Sequence, residues 1–208
     1  MAAKKIAEST VRRLSQYLRL LEDFEQAGRL TISSGELARS GGTTSAQVRK
    51  DLSFFGSFGK RGLGYDTRAL EAHIREILGL TREWSVVIVG AGKLGSAVAR
   101  HRGFRDRGFS VVGIFDADPQ RIGHRLDGVT VADVRNLECD VPRLGAEIAV
   151  LAVPPHEAQG VADRLVASGV QAILDFSTVP LVVPDGVTVR SLNLAMELEV
   201  LSHALVSR

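Results

Sequence analysis

The stretch Ser85-Val86-Val87-Ile88-Val89-Gly90-Ala91-Gly92-Lys93-Leu94-Gly95-Ser96-Ala97-Val98-Ala99 decides how the rest of the chain is read. An apolar run of strand length, Val86 to Val89, feeds a Gly-x-Gly-x-x-Gly turn, and a helical pattern follows at once. In such a unit Gly90 permits the tight turn, Gly92 lets backbone approach a pyrophosphate, and Gly95 lets the helix lie close on the strand. The helix N-terminus then offers unpaired N–H groups to the phosphates.

The pattern continues correctly. A helix is expected to about Arg102, then a second strand, Ser110 to Phe115, closed by Asp116. That acid lies 21 residues after Gly95, where a carboxylate is expected to meet the ribose 2′-hydroxyl. It would repel a 2′-phosphate, and no Arg follows directly, so NAD(H) is favoured over NADP(H). Asp118 and Pro119 read as the cap of a further helix. Strands are expected at Val129–Val131, Ile148–Val153, Ala172–Phe176 and Val187–Arg190, with a helix over Glu157–Ala167 among those between them. This alternation is that of an α/β domain with a parallel sheet. Pro154, after Val153, falls at the carboxyl edge of the sheet, where a nicotinamide would lie. The last helix, Leu194 to Val206, is apolar over Leu194, Leu198, Leu201 and Leu205, a stripe fit for a partner subunit or for its own sheet.

Composition sets the outer limits. The chain has 208 residues, 45% hydrophobic and 24% charged, ordinary globular values. The single Cys139 excludes an internal disulfide framework, and no Cys/His cluster suggests a metal. Neither a signal peptide nor a transmembrane run is present, so a cytoplasmic protein is expected. Charge is unevenly divided. Residues 1–80 carry 13 Lys and Arg against 9 Asp and Glu, whereas residues 81–208 carry 13 against 15. Arg39, Arg49, Lys50, Lys60 and Arg61 face only Asp51 within residues 39–61, which suits a polyanion partner.

In residues 1–80, Ser9 or Thr10 is expected to cap a first helix with a stripe of Val11, Leu14, Leu18 and Leu21, widened by Tyr17, Leu20 and Phe24 and ended by Gly28. Ser33 or Ser34 caps a short second helix. After Gly41-Gly42, Thr44 caps a third, Ser45 to Phe55, whose Val48, Leu52 and Phe55 face a core. Ser45, Gln47, Arg49, Lys50 and Ser53 lie off that stripe. This is the helix-turn-helix layout, whose second helix enters the major groove. Arg and Lys there can reach guanine or phosphates, and Gln can pair with adenine. Residues 56–65, with four glycines and the Lys60-Arg61 pair, read as a β-hairpin with a basic tip, the wing of a winged helix. Helix Thr67 to Leu78 then leads to a boundary near residue 80.

An enzyme needs catalytic machinery beside its cofactor. The candidate bases His101, His124, His156 and Asp175 belong to no evident motif, and the residues after Asp116 only complete the sheet. A sensor is therefore expected rather than a catalyst. The alternative is a small NAD-dependent oxidoreductase with a basic accessory domain. A CoA- or nucleotide-binding regulatory module is a third reading, opposed by Asp116.

The combination resembles the Rex family of redox-sensing bacterial repressors over essentially the whole chain. Gln47-Val48-Arg49-Lys50-Asp51-Leu52-Ser53-Phe54-Phe55-Gly56-Ser57-Phe58-Gly59-Lys60-Arg61-Gly62-Leu63-Gly64-Tyr65 carries the match, joined by Gly90 to Ala97 and Phe115-Asp116. The expected architecture is a winged-helix domain (1–80), a Rossmann NAD(H) domain (81–192) and a C-terminal dimerisation helix (193–208). The resemblance implies a homodimer with that helix exchanged, palindromic operator DNA bound in the NAD⁺ or apo state, and release on NADH binding. DNA contacts are expected at Thr44, Ser45, Gln47, Arg49, Lys50, Lys60 and Arg61. Cofactor contacts fall at Gly90, Ala91, Gly92, Lys93, Leu94, Gly95, Asp116, Val153 and Pro154. The resemblance also implies a redox-coupling network of an Arg, a Tyr and an Asp. Arg19 matches, but the Tyr position is His101 and the Asp position is Asn193, so an Arg–Asp ion pair would become a weaker Arg–Asn hydrogen bond.

Overall fold

Helix α1, Glu8–Gln26, opens the computed structural model, which describes residues 6–56, 58–59 and 63–207. The chain divides into two units, Met1–Arg82 and Glu83–Arg208. Ala7 caps α1, not Ser9 or Thr10. Thr10 is turned inward and buried, with its hydroxyl taking a hydrogen bond from Arg13, so it serves the core instead of the helix end. Leu14, Tyr17, Leu18 and Leu21 are buried, but Val11 is 39% exposed and lies outside the stripe.

Strand β1, Thr31–Ile32, leads into α2, Ser34–Ser40. Ser33 caps it through a reciprocal capping box: the Glu36 backbone N–H donates to Ser33 Oγ and the Ser33 N–H donates to the Glu36 carboxylate. Arg29 first, then the Ser33 donors, hold the Glu36 carboxyl down to about 2. Helix α3, Ser45–Ser53, has Thr44 as its cap, the Gln47 N–H donating to Thr44 Oγ1 at 3.1 Å. Val48 and Leu52 are buried on α1 and α2, and Phe55 is half-buried just beyond the helix.

Strand β2, Tyr65–Asp66, ends the stretch expected as a hairpin. Its antiparallel partner is β1, with Thr31 opposite Asp66 and Ile32 opposite Tyr65. Gly64 explains the register, since at φ +83° a Cβ there would meet the Ile32 carbonyl at 2.5 Å. Lys60 and Arg61, the expected basic tip, lie outside the described residues. Asp66 caps α4, Thr67–Ile77, which packs Leu70 and Ile74 into the core shared with α1.

The second unit is a seven-stranded sheet. In chain order come β3 (Trp84–Val89), α5 (Lys93–Ala99), β4 (Phe109–Asp116), β5 (Arg125–Leu126), β6 (Val129–Asp133), α6 (Leu137–Leu144), β7 (Ile148–Leu151), α7 (Pro155–Ala167), β8 (Ala172–Asp175), β9 (Thr188–Ser191) and α8 (Leu194–Val206). The strand order is β5-β6-β4-β3-β7-β8-β9, parallel throughout except β5 against β6. Successive residues of β3 feed opposite faces. Val87 and Val89 join α6 and α7, whereas Val86 and Ile88 pack with Ile114, Val131 and Val150.

Helix α5 is shorter than expected. It stops at Ala99, and a 3-10 turn, Arg102–Arg107, follows His101. The helix expected after Pro119 is absent, residues 119–123 forming turns instead. The β5–β6 hairpin was unanticipated, though its Asp127-Gly128 pair, with φ of 46° and 88°, is the favoured sequence for a tight hairpin. Helix α8 has no buried residue: Leu194, Leu198, Leu201 and Leu205 are 60–68% exposed, so it does not dock on its own sheet. Among the described residues, no helix is long and apolar enough to cross a membrane.

Candidate functional sites

In the first unit the site is α3 and what lies beneath it. Asp51 is fully buried, and its carboxylate accepts from Arg13 Nε (2.6 Å), Arg13 Nη2 (2.7 Å), Gln47 Nε2 (2.8 Å) and the Tyr17 hydroxyl (3.1 Å). Burial works against its charge, but these donors outweigh it and hold the carboxyl below its ordinary range. Burial first, then the bond to Asp51, pushes the Tyr17 hydroxyl up to about 12. Asp51 therefore fastens α3 to α1. Sequence reading counted it only as the one acid in a basic stretch. Its signal is the i, i+4 spacing from Gln47 on the inward side of the helix.

The residues expected to meet DNA fare differently. Lys50 is exposed, and Arg49 is exposed with its Nη1 donating to Ser34 Oγ at 3.1 Å, which ties α3 to α2. Thr44 is exposed while capping, and Ser45 is half-exposed. Gln47 is not free to face outward: it is half-buried, with its amide nitrogen given to Asp51. Arg19 is exposed on α1.

In the second unit the sheet order reverses at β3, with β4 on one side and β7 on the other, and the glycine turn sits at this switch point. An open cleft of about 760 Å³ lies there, within the range of small-molecule sites. Gly90, Gly92, Lys93, Leu94, Asp116, Val153 and Pro154 line it. Ala91 and Gly95 lie behind it. Gly95 is buried against the turn, where a Cβ would fall 1.7 Å from the Gly90 carbonyl oxygen. Ala91 is buried and donates its N–H to Asp116 Oδ2 at 2.6 Å.

Asp116 ends β4 almost wholly buried. Its Oδ1 accepts the Asp118 N–H at 2.8 Å, and its Oδ2 also faces Arg121 Nη1 at 3.1 Å. Burial opposes its charge, yet the two N–H bonds and Arg121 hold the carboxyl below its ordinary range. Arg121 does not directly follow Asp116 in sequence; the turn over 119–123 brings it back across five positions. Asp118, expected to cap a helix, closes this turn, accepting the Gln120 N–H at 2.9 Å.

A dinucleotide fits the cleft. A Cβ added at Gly92 would meet nothing but Arg121 Nη1 at 3.8 Å, so the floor is open to close approach from above, and the acid stands at the strand end. The former candidate bases do not converge. His156 lies on the rim beside Glu157, and Asp175 is fully buried, accepting the Ser177 N–H and the Ser191 hydroxyl. His101 sets its ring edge-on to Phe104 at 5.0 Å. Asn193 caps α8, its Oδ1 accepting the Ala195 and Met196 N–H groups at 3.0 and 3.4 Å. Among the described residues no cluster of three His, Cys, Asp or Glu could hold a metal ion.

Comparison with known proteins agrees with both halves. Residues 5–53 match the family model described as "Putative DNA-binding protein N-terminus", and residues 81–179 match that described as "CoA binding domain". The chain is 48% identical to the redox-sensing transcriptional repressor Rex of Desulfitobacterium hafniense, over 100% of this chain and 99% of that one. It is 49% identical to Rex of Carboxydothermus hydrogenoformans, covering 97% of each. A crystal structure of RSP in complex with beta-NAD⁺ and operator DNA superposes with a TM-score of 0.93 at 37% identity, over 98% of this chain and 94% of that one. RSP in complex with beta-NADH gives 0.88 at 36%, over 98% and 95%.

Proposed function

Since the chain belongs to the Rex family of redox-sensing transcriptional repressors, we propose that it binds operator DNA through α3 and releases it when NADH fills the cleft of the second unit. It is a regulator and not an enzyme. The observation that carries this reading is the presence, in one chain, of a helix-turn-helix unit and a cleft with a glycine turn and a ribose-type acid.

What the bound cofactor supplies is a difference of one hydride and one positive charge on its nicotinamide ring. The chain's residues do the rest. Backbone at Gly90 and Gly92, with Lys93 and Leu94 beside it, would hold the diphosphate; Ala91 and Gly95 shape the turn from behind; Asp116 would accept a ribose hydroxyl; Val153 and Pro154 would meet the nicotinamide. On the DNA side Arg49 and Lys50 meet the groove, Thr44 and Ser45 the backbone, and Gln47 reaches a base by giving up Asp51. Lys60 and Arg61 add phosphate contacts. Arg19, His101 and Asn193 relay the state of the cleft. The protein works in the cytoplasm, where operator DNA and the NADH pool meet.

The test is a titration of palindromic operator DNA at fixed salt with either cofactor. NADH is expected to weaken binding at least about tenfold relative to NAD⁺, the size of an ordinary coupling energy. Equal affinities would refute the reading, because a ligand shifts an equilibrium only by its differential affinity. Arg49→Ala or Lys50→Ala is expected to cost about 1–3 kcal/mol of operator binding while NADH affinity holds.

The partner of α8 is a second copy of the chain. Four exposed leucines in one 13-residue helix are a large apolar patch for a monomer. Leu198→Glu with Leu201→Glu is expected to yield a monomer by sedimentation and to weaken palindrome binding. A dimer unchanged by both would remove α8 from the interface.

A further inference from the structure

We propose that Ser34 is a positioning residue of the operator-reading surface: by accepting from Arg49 Nη1 it holds the guanidinium with its Nε–Nη2 edge open, the edge that reads a guanine. The inference rests on the reading of α3 as the helix that meets the groove.

Ser33 and Ser34 stand together at the start of α2, and only one is spent on the helix end. Ser33 Oγ accepts the Glu36 N–H at 3.2 Å and donates to Glu36 Oε2 at 2.7 Å. Ser34 is left with a hydroxyl that the cap does not use. Arg49 Nη1 donates to it at 3.1 Å, across 15 positions of sequence. The acid of α2 does not compete for this arginine, because the Glu36 carboxylate is already held by Arg29 and Ser33. Among the described residues Arg49 forms no ion pair. Its charge is felt at Tyr65 of β2, where burial pushes the hydroxyl up and Arg49 opposes the rise. The guanidinium therefore stands close to both α2 and β2.

Geometry then decides what it can read. A guanidinium offers two pairs of donors, the Nη1–Nη2 end and the Nε–Nη2 side. With Nη1 engaged by Ser34, the side is the pair that remains whole. Two such donors match guanine O6 and N7 in the major groove, and no other base shows two adjacent acceptors there. An arginine held before DNA arrives also loses less freedom on binding. A phosphate would satisfy the same edge but carries no sequence, so the two contacts differ in their dependence on the base.

The experiment uses the full-length protein with NAD⁺ at fixed salt. Its probes are a palindromic operator duplex selected from a random library by the wild type, the same duplex with each guanine replaced in turn by 7-deazaguanine, and a non-operator duplex of equal length. Ser34→Ala keeps the Ser33 cap and adds a good helix former, so the fold is expected to hold, which circular dichroism checks. It should weaken operator binding about three- to tenfold, the size of one ordinary hydrogen bond, and leave the non-operator duplex within about twofold. Ser34→Thr, which keeps the hydroxyl, should bind like the wild type. For the wild type, 7-deazaguanine at one position per half-site should cost about tenfold, and for Ser34→Ala about threefold or less. Arg49→Ala should be indifferent both to that replacement and to added Ser34→Ala. Unchanged operator affinity in Ser34→Ala, a loss that persists beside Arg49→Ala, an equal loss on both duplexes, or a 7-deazaguanine series without effect would overturn the proposal while leaving α3 as the reader. A wild type that does not prefer the operator duplex would overturn both.

Discussion

Asp51→Ala is expected to destabilise the first unit by about 3–5 kcal/mol, because it strips a buried ion pair of one partner. The Arg13 guanidinium and the Tyr17 hydroxyl would lose their acceptor, and Gln47 its inward anchor. Urea unfolding followed by circular dichroism should show this as a lowered first transition. Operator binding should vanish while NADH binding in the second unit persists. A loss below about 1 kcal/mol would mean that the network contributes no more than an exposed pair. The same network has a pH signature. The Asp51 carboxyl is depressed in the folded state, so its contribution is complete above the ordinary carboxylate range and is lost as pH falls through the folded value. Tyr17 is raised from 10.0 to about 12, so its contribution holds below pH 10 and is lost as pH rises toward 12.

The glycine turn separates folding from binding. A Cβ at Gly90, where φ is +98°, would lie 2.3 Å from the Ala152 carbonyl oxygen, and one at Gly95 would lie 1.7 Å from that of Gly90. Neither neighbour is a flexible side chain. Gly90→Ala and Gly95→Ala should each lower stability by about 1–3 kcal/mol or more, as overpacked sites do, and lose NADH binding with it. Gly92→Ala should behave otherwise. Its φ of −66° suits alanine and only Arg121 Nη1 is near, so stability should stay within about 0.5 kcal/mol of wild type. NADH affinity should still fall, since the new methyl stands where a phosphate would approach. A Gly92→Ala protein binding NADH normally would place the diphosphate elsewhere.

These contrasts mark what sequence can reveal. The parallel sheet was legible because β3, β4, β7 and β8 are largely apolar runs bounded by turn residues, and the helix caps at Ser33 and Thr44 because capping depends on residues three apart. Local rules failed where a distant group intervened. Thr10 reads as a cap until Asp51 and Arg13 draw it inward. Gln47 reads as a base-pairing side chain until the buried carboxylate four residues on claims it. The pairing of Tyr65 with Ile32, 33 residues earlier, is announced by neither stretch alone. Arg121 escaped because its approach to Asp116 depends on a turn whose geometry no single residue announces.

The bond from the Ala91 N–H to Asp116 bears on how this protein's descendants can change. One carboxylate both buttresses the glycine turn and lines the cleft, so its replacement would trade a new ligand for a broken scaffold in a single step. Lineages that drift at this site must therefore keep the acid and vary around it.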